Sequence, residues 1–187
     1  MVAGRAGGIP VHYRCDEEDD WNPDLADIES KITENTHAIV IINPNNPTGA
    51  VYSEETVKAL VDIARRHQLV VMADEIYQRL TYGSEDVAPS IAAVTPDLEN
   101  VVLINGVAKS FAMTGLRLGY IAAPAELMRA MLPFHHAMMI CANAVTQYGG
   151  LAVLNHPRDW FKQDILPEYD RRRHQWMQLL DEIGLPY

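Results

Sequence analysis

The sequence predicts an α/β fold, a mostly parallel sheet flanked by helices and followed by a long bridging helix. Three observations predict it. Apolar runs of strand length stand at 38–42, 69–72, 101–104 and 119–122, with helix-period or loop-like stretches between most of them. Strands alternating with helices imply parallel pairing, because a parallel neighbour is reached only through a crossover. Turn segments rich in Asn, Pro, Gly and charged residues follow three of these runs, where open α/β sheets place their ligands. A chain of 187 residues with 48% hydrophobic side chains suits one globular core.

Taken in order, Val11-His12-Tyr13 reads as a first strand and 16–20 as a solvated acidic loop. Asn22-Pro23 reads as the cap and first-turn proline of a helix whose Leu25, Ile28 and Ile32 recur at i, i+3 and i+7. The run at 38–42 is the next strand. Ser53 then caps a helix with Val57, Leu60, Val61 and Ala64 on one face. The strand at 69–72 precedes a helix or loop region containing Pro89 and Pro96, and the runs at 101–104 and 119–122 complete the strands. From Pro124 onward the pattern is helical. Met128, Met131 and Leu132 read as a core stripe, and Met138-Met139 as core filler. The segment 160–183 carries Phe161, Ile165, Tyr169, Trp176, Leu180 and Ile183 near helical spacing, with Pro167 starting a new helix or kinking this one. No internal repeat or low-complexity tract interrupts the pattern.

Three segments carry chemistry. In Asn105–Tyr120, NGVAKSFAMTGLRLGY, Lys109 sits in a small-residue turn after a strand, and Arg117 follows eight positions later. An amine withdrawn from bulk water deprotonates more easily and then serves as a nucleophile toward carbonyls. An arginine supplies a planar, permanently charged fork suited to a phosphate dianion. The pair fits an aldehyde cofactor with a phosphate tail. By itself, one lysine and one arginine in a loop read as solvated charges. The second segment, NPNNPTG at 43–49, is a rigid turn able to hold an amide side chain at one angle. The third, Ala73-Asp74-Glu75-Ile76-Tyr77, puts a carboxylate at a strand end, where burial is costly unless a cation or strong donor pairs with it. A protonated pyridine nitrogen is such a partner; an ordinary helix cap is the plainer role for Asp74. Glu75 points to the other side of the strand.

Together these segments resemble the pyridoxal-phosphate-dependent aminotransferases of fold type I, class I/II, and the resemblance runs along nearly the whole chain. It implies roles residue by residue. Lys109 matches the lysine that carries the cofactor, and its freed amine is the general base for the proton between the substrate α-carbon and the cofactor. Asp74 matches the carboxylate that keeps the pyridine nitrogen protonated. Asn46 and Tyr77 match the pair that hydrogen-bonds the phenolic oxygen, and Arg117 the phosphate-binding arginine. In most members a serine three positions before the lysine also contacts the phosphate; here that residue is Gly106. The NGVAK form is similar to that of bacterial and archaeal aspartate- and alanine-type aminotransferases. The implied reaction is ping-pong transfer of an amino group between an L-amino acid and a 2-oxo acid, by a cytoplasmic homodimer. The implied short strand after the arginine runs antiparallel. A same-fold lyase of the carbon–sulfur or aminocyclopropane carboxylate synthase type shares these residues. A non-catalytic effector module or an inert truncated paralogue retains the fold without the reaction.

The family is longer than this chain, so the sequence reads as an internal fragment: 1–156 part of the cofactor-binding large domain, 157–187 a bridging helix toward a small domain. A net charge of −10 and a pI near 5.0 oppose a nucleic-acid footprint. The basic run Arg171-Arg172-Arg173-His174 lies beside acidic residues and reads as a solvated helix face. No stretch reads as a membrane span or secretory signal. Cys15 and Cys141 lack metal-ligand spacing, and the adjacent His135-His136 cannot share a metal on one helix face.

Overall fold

A computed structural model describes residues 2–83, 87–157 and 160–187. After a short helix α1 (Val2–Arg5), residues 8–14 form no helix and join no strand ladder. The strand expected at Val11-His12-Tyr13 is therefore absent. Side chains hold this stretch instead. Tyr13 packs against the core and donates its hydroxyl to Val40 O at 3.1 Å, and Lys31 Nζ donates to His12 O at 2.9 Å.

Asn22-Pro23 also departs from expectation. The pair forms strand β2 (Asn22–Pro23), antiparallel to β1 (Cys15–Asp16). The acidic stretch between them includes a single 3-10 turn, Glu17–Asp19, and is exposed. Helix α2 (Leu25–Ser30) starts later because Asp24, not Asn22, satisfies the free amides of its first turn, accepting from Asp27 N at 2.9 Å.

The main sheet has the order β3–β4–β5–β6, from β3 (Ala38–Ile42), β4 (Val70–Asp74), β5 (Val101–Gly106) and β6 (Gly119–Ala122). The first three strands are parallel and β6 runs antiparallel to β5, so the sheet is mixed and mostly parallel. Helix α3 (Glu54–Arg66) makes the crossover from β3 to β4. Ser53 caps it by accepting from Thr56 N at 3.1 Å, and Glu54 and Glu55 against Arg65 and Arg66 complement its dipole. Val57, Leu60, Val61, Ile63 and Ala64 bury its inner face against Ile39, Ile41, Val71, Ala73 and Leu103. Side chains of β3 and β4 alternate between that core and an open face bearing Val40 and Met72. The short helix α4 (Ile91–Val94), capped by Ser90, closes the core beside α3.

The later helices are α5 (Ala125–Met138), α6 (Ala144–Leu154) and α7 (Leu166–Ile183). A π-helical turn, Phe161–Ile165, leads into α7, and Pro167 sits in its first turn, where a missing N–H costs nothing. The methionine stripe on α5 is not core. No residue of α5 is buried, Leu132 is exposed, and Met138 is 82% and Met139 54% exposed. Apolar periodicity marks a face that can be buried; here Met128 and Met131 are only half-buried. The basic run on α7 does pair locally: Arg171 and Arg172 with Glu168, and Arg173 with Asp170.

Candidate active site

Three turns at the carboxyl ends of β3, β4 and β5 meet at one edge of the sheet. The first follows β3 and is held at both ends. Asn43 is buried; its N–H donates to Asp74 O at 3.0 Å, its Oδ1 accepts from Tyr52 N at 2.8 Å, and its Nδ2 donates to Pro89 O at 3.1 Å. Asn45 donates from Nδ2 to the hydroxyl of the fully buried Tyr52 at 3.2 Å, while its Oδ1 accepts from Thr48 Oγ1 at 2.9 Å. Both Asn-Pro bonds, Asn43-Pro44 and Asn46-Pro47, are cis, and Gly49 takes a φ of 78° that disfavours a side chain. With its neighbours so tied, Asn46 projects outward and donates from Nδ2 to Tyr77 Oη at 3.1 Å.

The second turn carries two carboxylates to opposite sides. Asp74 ends β4 between Ile42 and Ile104, half-buried, and its Oδ1 accepts from Ile76 N at 3.1 Å. Glu75 points inward at 3% exposure, where Oε2 accepts from Ser90 Oγ at 2.8 Å and Oε1 from Ile91 N at 2.7 Å. Burial pushes the Glu75 carboxyl above its ordinary range, and the charge of Asp74 adds to this, against those two hydrogen bonds.

The third turn brings Lys109. Its ammonium nitrogen lies 5.5 Å from the centre of the Tyr77 ring, and Lys109 is half-buried. Ser110, next along, is buried and donates from Oγ to Ile76 O at 3.2 Å, so the lysine turn is fastened to the aspartate turn. Arg117 stands exposed with φ 50°, its Nη1 donating to Thr114 O of its own turn at 3.2 Å. Of the five residues singled out from sequence, Asn46 and Lys109 each approach Tyr77, Asp74 stands at the start of the turn that bears Tyr77, and Arg117 lies next to β6 with its guanidinium on its own turn.

Gly106 has a geometric explanation. It pairs with Gly119 across β5 and β6, and a Cβ there would fall 2.8 Å from Leu118 O and 2.9 Å from Gly119 Cα. Backbone occupies that space, so a serine cannot be accommodated without shifting β6. Asn43, Tyr52, Glu75 and Ser110 are the residues that sequence reasoning passed over as parts of the site's frame. The signal for Asn43 was its place at a strand end inside NPNNPTG. Nothing local in the sequence distinguishes Tyr52 or Ser110. A separate apolar groove of 630 Å³, lined by Val107, Leu118, Tyr120, Tyr148, Leu151 and Leu154 among others, lies on the β6–α6 side and includes none of the five. No group of three or more metal-ligating side chains occurs among the described residues.

The donor set suits pyridoxal phosphate. It comprises a primary amine for an aldehyde, a carboxylate for a protonated ring nitrogen, an amide and a phenol for a phenolic oxygen, and a guanidinium for a phosphate.

Comparison with known proteins agrees with that chemistry. The family described as Aminotransferase class I and II matches residues 1–187. The chain is 39% identical to glutamate-pyruvate aminotransferase AlaA of Escherichia coli over 186 residues, covering 95% of this chain and 45% of that one. It is 52% identical to alanine aminotransferase of Mycobacterium tuberculosis over 117 residues, 63% of this chain and 27% of that protein. Among solved structures, the aspartate aminotransferase from Thermus thermophilus with maleate superposes with a TM-score of 0.88 at 34% identity, over 97% of this chain and 47% of that one. The chain thus spans about half the length of the full relatives it matches. With the family's fold along its whole length and the lysine, aspartate and asparagine turns at one sheet edge, the chain belongs to the class I and II aminotransferases.

Proposed function

We propose that the protein of which this chain forms the lysine-bearing part transfers amino groups between an L-amino acid and a 2-oxo acid, with pyridoxal phosphate as cofactor. The observation that carries this reading is the approach of Lys109 and Asn46 to Tyr77, beside Asp74 at the strand end. Pyridoxal phosphate, when bound, supplies an aldehyde carbon and a ring that accepts electrons from the substrate α-carbon.

The chain's own residues divide the remaining tasks. Lys109 would hold the cofactor through its amine, and as a free amine it would move the proton at the substrate α-carbon. Asp74 keeps the ring nitrogen protonated, and the Ile76 amide on its Oδ1 restrains its angle. Asn46 and Tyr77, already joined by a hydrogen bond, present donors to the phenolic oxygen. Arg117 binds the phosphate; its exposed guanidinium has room to turn from Thr114 O. With Gly106 lacking a hydroxyl, the phosphate relies the more on Arg117.

Residues 1–156 are assigned to the cofactor-binding large domain and 157–187 to a bridging helix, in keeping with α7 and the π-turn before it. The family resemblance supports a cytoplasmic homodimer for the whole protein. The charge of −10 supports small-molecule partners over nucleic acid, and no described helix is long and apolar enough to cross a membrane. The test is an absorbance titration of the chain with pyridoxal phosphate, borohydride reduction and peptide mapping, beside Lys109→Ala. A reduced adduct on Lys109 is expected; an adduct confined to other lysines refutes the assignment.

A further inference from the structure

Asp74 is the residue on which the proposed ring chemistry depends, and among the described residues its carboxylate accepts from a backbone amide only two residues away. That amide belongs to the same turn. The Asp74 backbone is held by its place in β4 and by Asn43 N, which donates to Asp74 O at 3.0 Å, and three further ties hold the turn that follows. Glu75 N donates to Ile104 O at 2.9 Å, fixing the turn to β5. Ile76 O accepts from Ser110 Oγ, fixing it to the lysine turn. Beneath, the Glu75 carboxylate reaches across to Ser90 and Ile91 at the start of α4, with both oxygens engaged. Asn43, from β3, donates to Pro89 O in the same stretch. Two buried side chains flanking Asp74 thus anchor to one stretch, Pro89 to Ile91.

We propose that Glu75 is a positioning residue, whose bonds to Ser90 Oγ and Ile91 N fix the Asp74–Tyr77 turn and so hold Asp74, Tyr77 and, through Ser110, Lys109 in register. It rests on the cofactor reading above for its functional meaning. A buried carboxylate is a costly brace, because the charge must be desolvated. It has one advantage over an apolar residue here. It accepts two donors at once, one of them a first-turn amide of α4 that has no partner within the helix. An apolar side chain would leave the buried Ile91 N–H unpaired and Ser90 Oγ without this acceptor.

The experiment compares the unchanged chain with Glu75→Ala, Glu75→Gln and Ser90→Ala, using two readouts. One is amide hydrogen exchange by NMR at Ile76, with Leu60 and Val61 of α3 as internal references. The other is borohydride trapping of pyridoxal phosphate on Lys109. Glu75→Ala is expected to speed exchange at Ile76 and to reduce trapping, each about tenfold, with the α3 amides unchanged. Glu75→Gln keeps an acceptor for Ile91 N and a polar group for Ser90, and is expected to restore both readouts to within about threefold. Should Glu75→Ala fail to fold, Ser90→Ala removes the bond to Glu75 together with the α4 cap at Ala92 N, and is expected to speed exchange at Ile76 about threefold. Unchanged exchange at Ile76, or equal acceleration across α3, overturns the proposal. Trapping that is absent from the unchanged chain while Ile76 still responds overturns the cofactor reading for this chain and leaves the brace standing. Trapping that is present and unaffected by any variant does the reverse.

Discussion

The two sides of the sheet are built differently. On the β3–β4 side, α3 and α4 cover one face completely, and Tyr52, Leu60 and Val101 are wholly out of solvent. On the β6 side, the strand itself is largely exposed, and α5, α6 and the link between them carry Phe134, Val145, Tyr148 and Ile140 outward. Both sides carry apolar side chains; among the described residues only the first is covered. The candidate site straddles them. Asn46 and Asp74 rise from the packed side, Lys109 from the strand between, and Arg117 from the turn beside the open side. The arrangement teaches that geometry around Asp74 is secured by this chain's own core, while the ground under Arg117 is much less enclosed.

The sharpest way to break this comparison is to delete equal volume on each side. Leu60→Ala, in the packed core, is expected to lower unfolding free energy by about 2–5 kcal/mol in urea titrations. Leu151→Ala, on the half-exposed face of α6, is expected to cost about 0.5 kcal/mol. Equal losses would mean that α6 is as well buried as α3. Next in size is Gly106→Ser, at the seam between the sides. Its Cβ meets backbone at 2.8 Å, so the hydroxyl usual in the family should destabilise this chain by about 1–3 kcal/mol. A neutral effect would show that β6 shifts freely.

A pH series sharpens the contrast between a buried and a surface carboxylate. Burial raises the Glu75 value above its ordinary 4.5. Its contribution is therefore complete below that value and is lost as pH rises through the elevated one. Glu75→Gln should remove this loss, so its stability relative to the unchanged chain should climb as pH increases through that window. Glu168, held down to about 2 by Arg171 and Arg172, behaves oppositely. Its contribution is present above the ordinary value and fades as pH falls toward 2. Because Glu168 is on the surface, Glu168→Gln should give the smallest effect of the series, abolished by molar salt.

Much of the site was legible beforehand because its chemistry lies in short contiguous stretches. NPNNPTG, ADEIY and NGVAK each follow a strand, and parallel strands deliver their carboxyl ends to one edge without further information. The helix capped by Ser53 was legible for the same local reason, a cap followed by a clear apolar period. Where neighbours in space decided the outcome, local reading failed. Val11-His12-Tyr13 has strand composition but no ladder partner, and Tyr13 is held by its side chain. Asn22-Pro23 has a helix-start signature, yet it pairs with β1 while Asp24 takes the cap. The α5 stripe has core periodicity, yet none of it is fully buried.

The sequence by itself determined the succession of the four main-sheet strands and the helix after Ser53, and the turns that bear Asn46, Asp74, Lys109 and Arg117 in the candidate site. These follow from side-chain type and spacing along the chain. Only the tertiary structure decided that Asn46 reaches Tyr77, that Gly106 must remain a glycine beneath Leu118 and Gly119, and that Glu75 braces the turn from behind. Those outcomes depend on atoms brought within a few ångströms from distant positions, and packing and hydrogen-bond partners exist only once the chain has closed on itself.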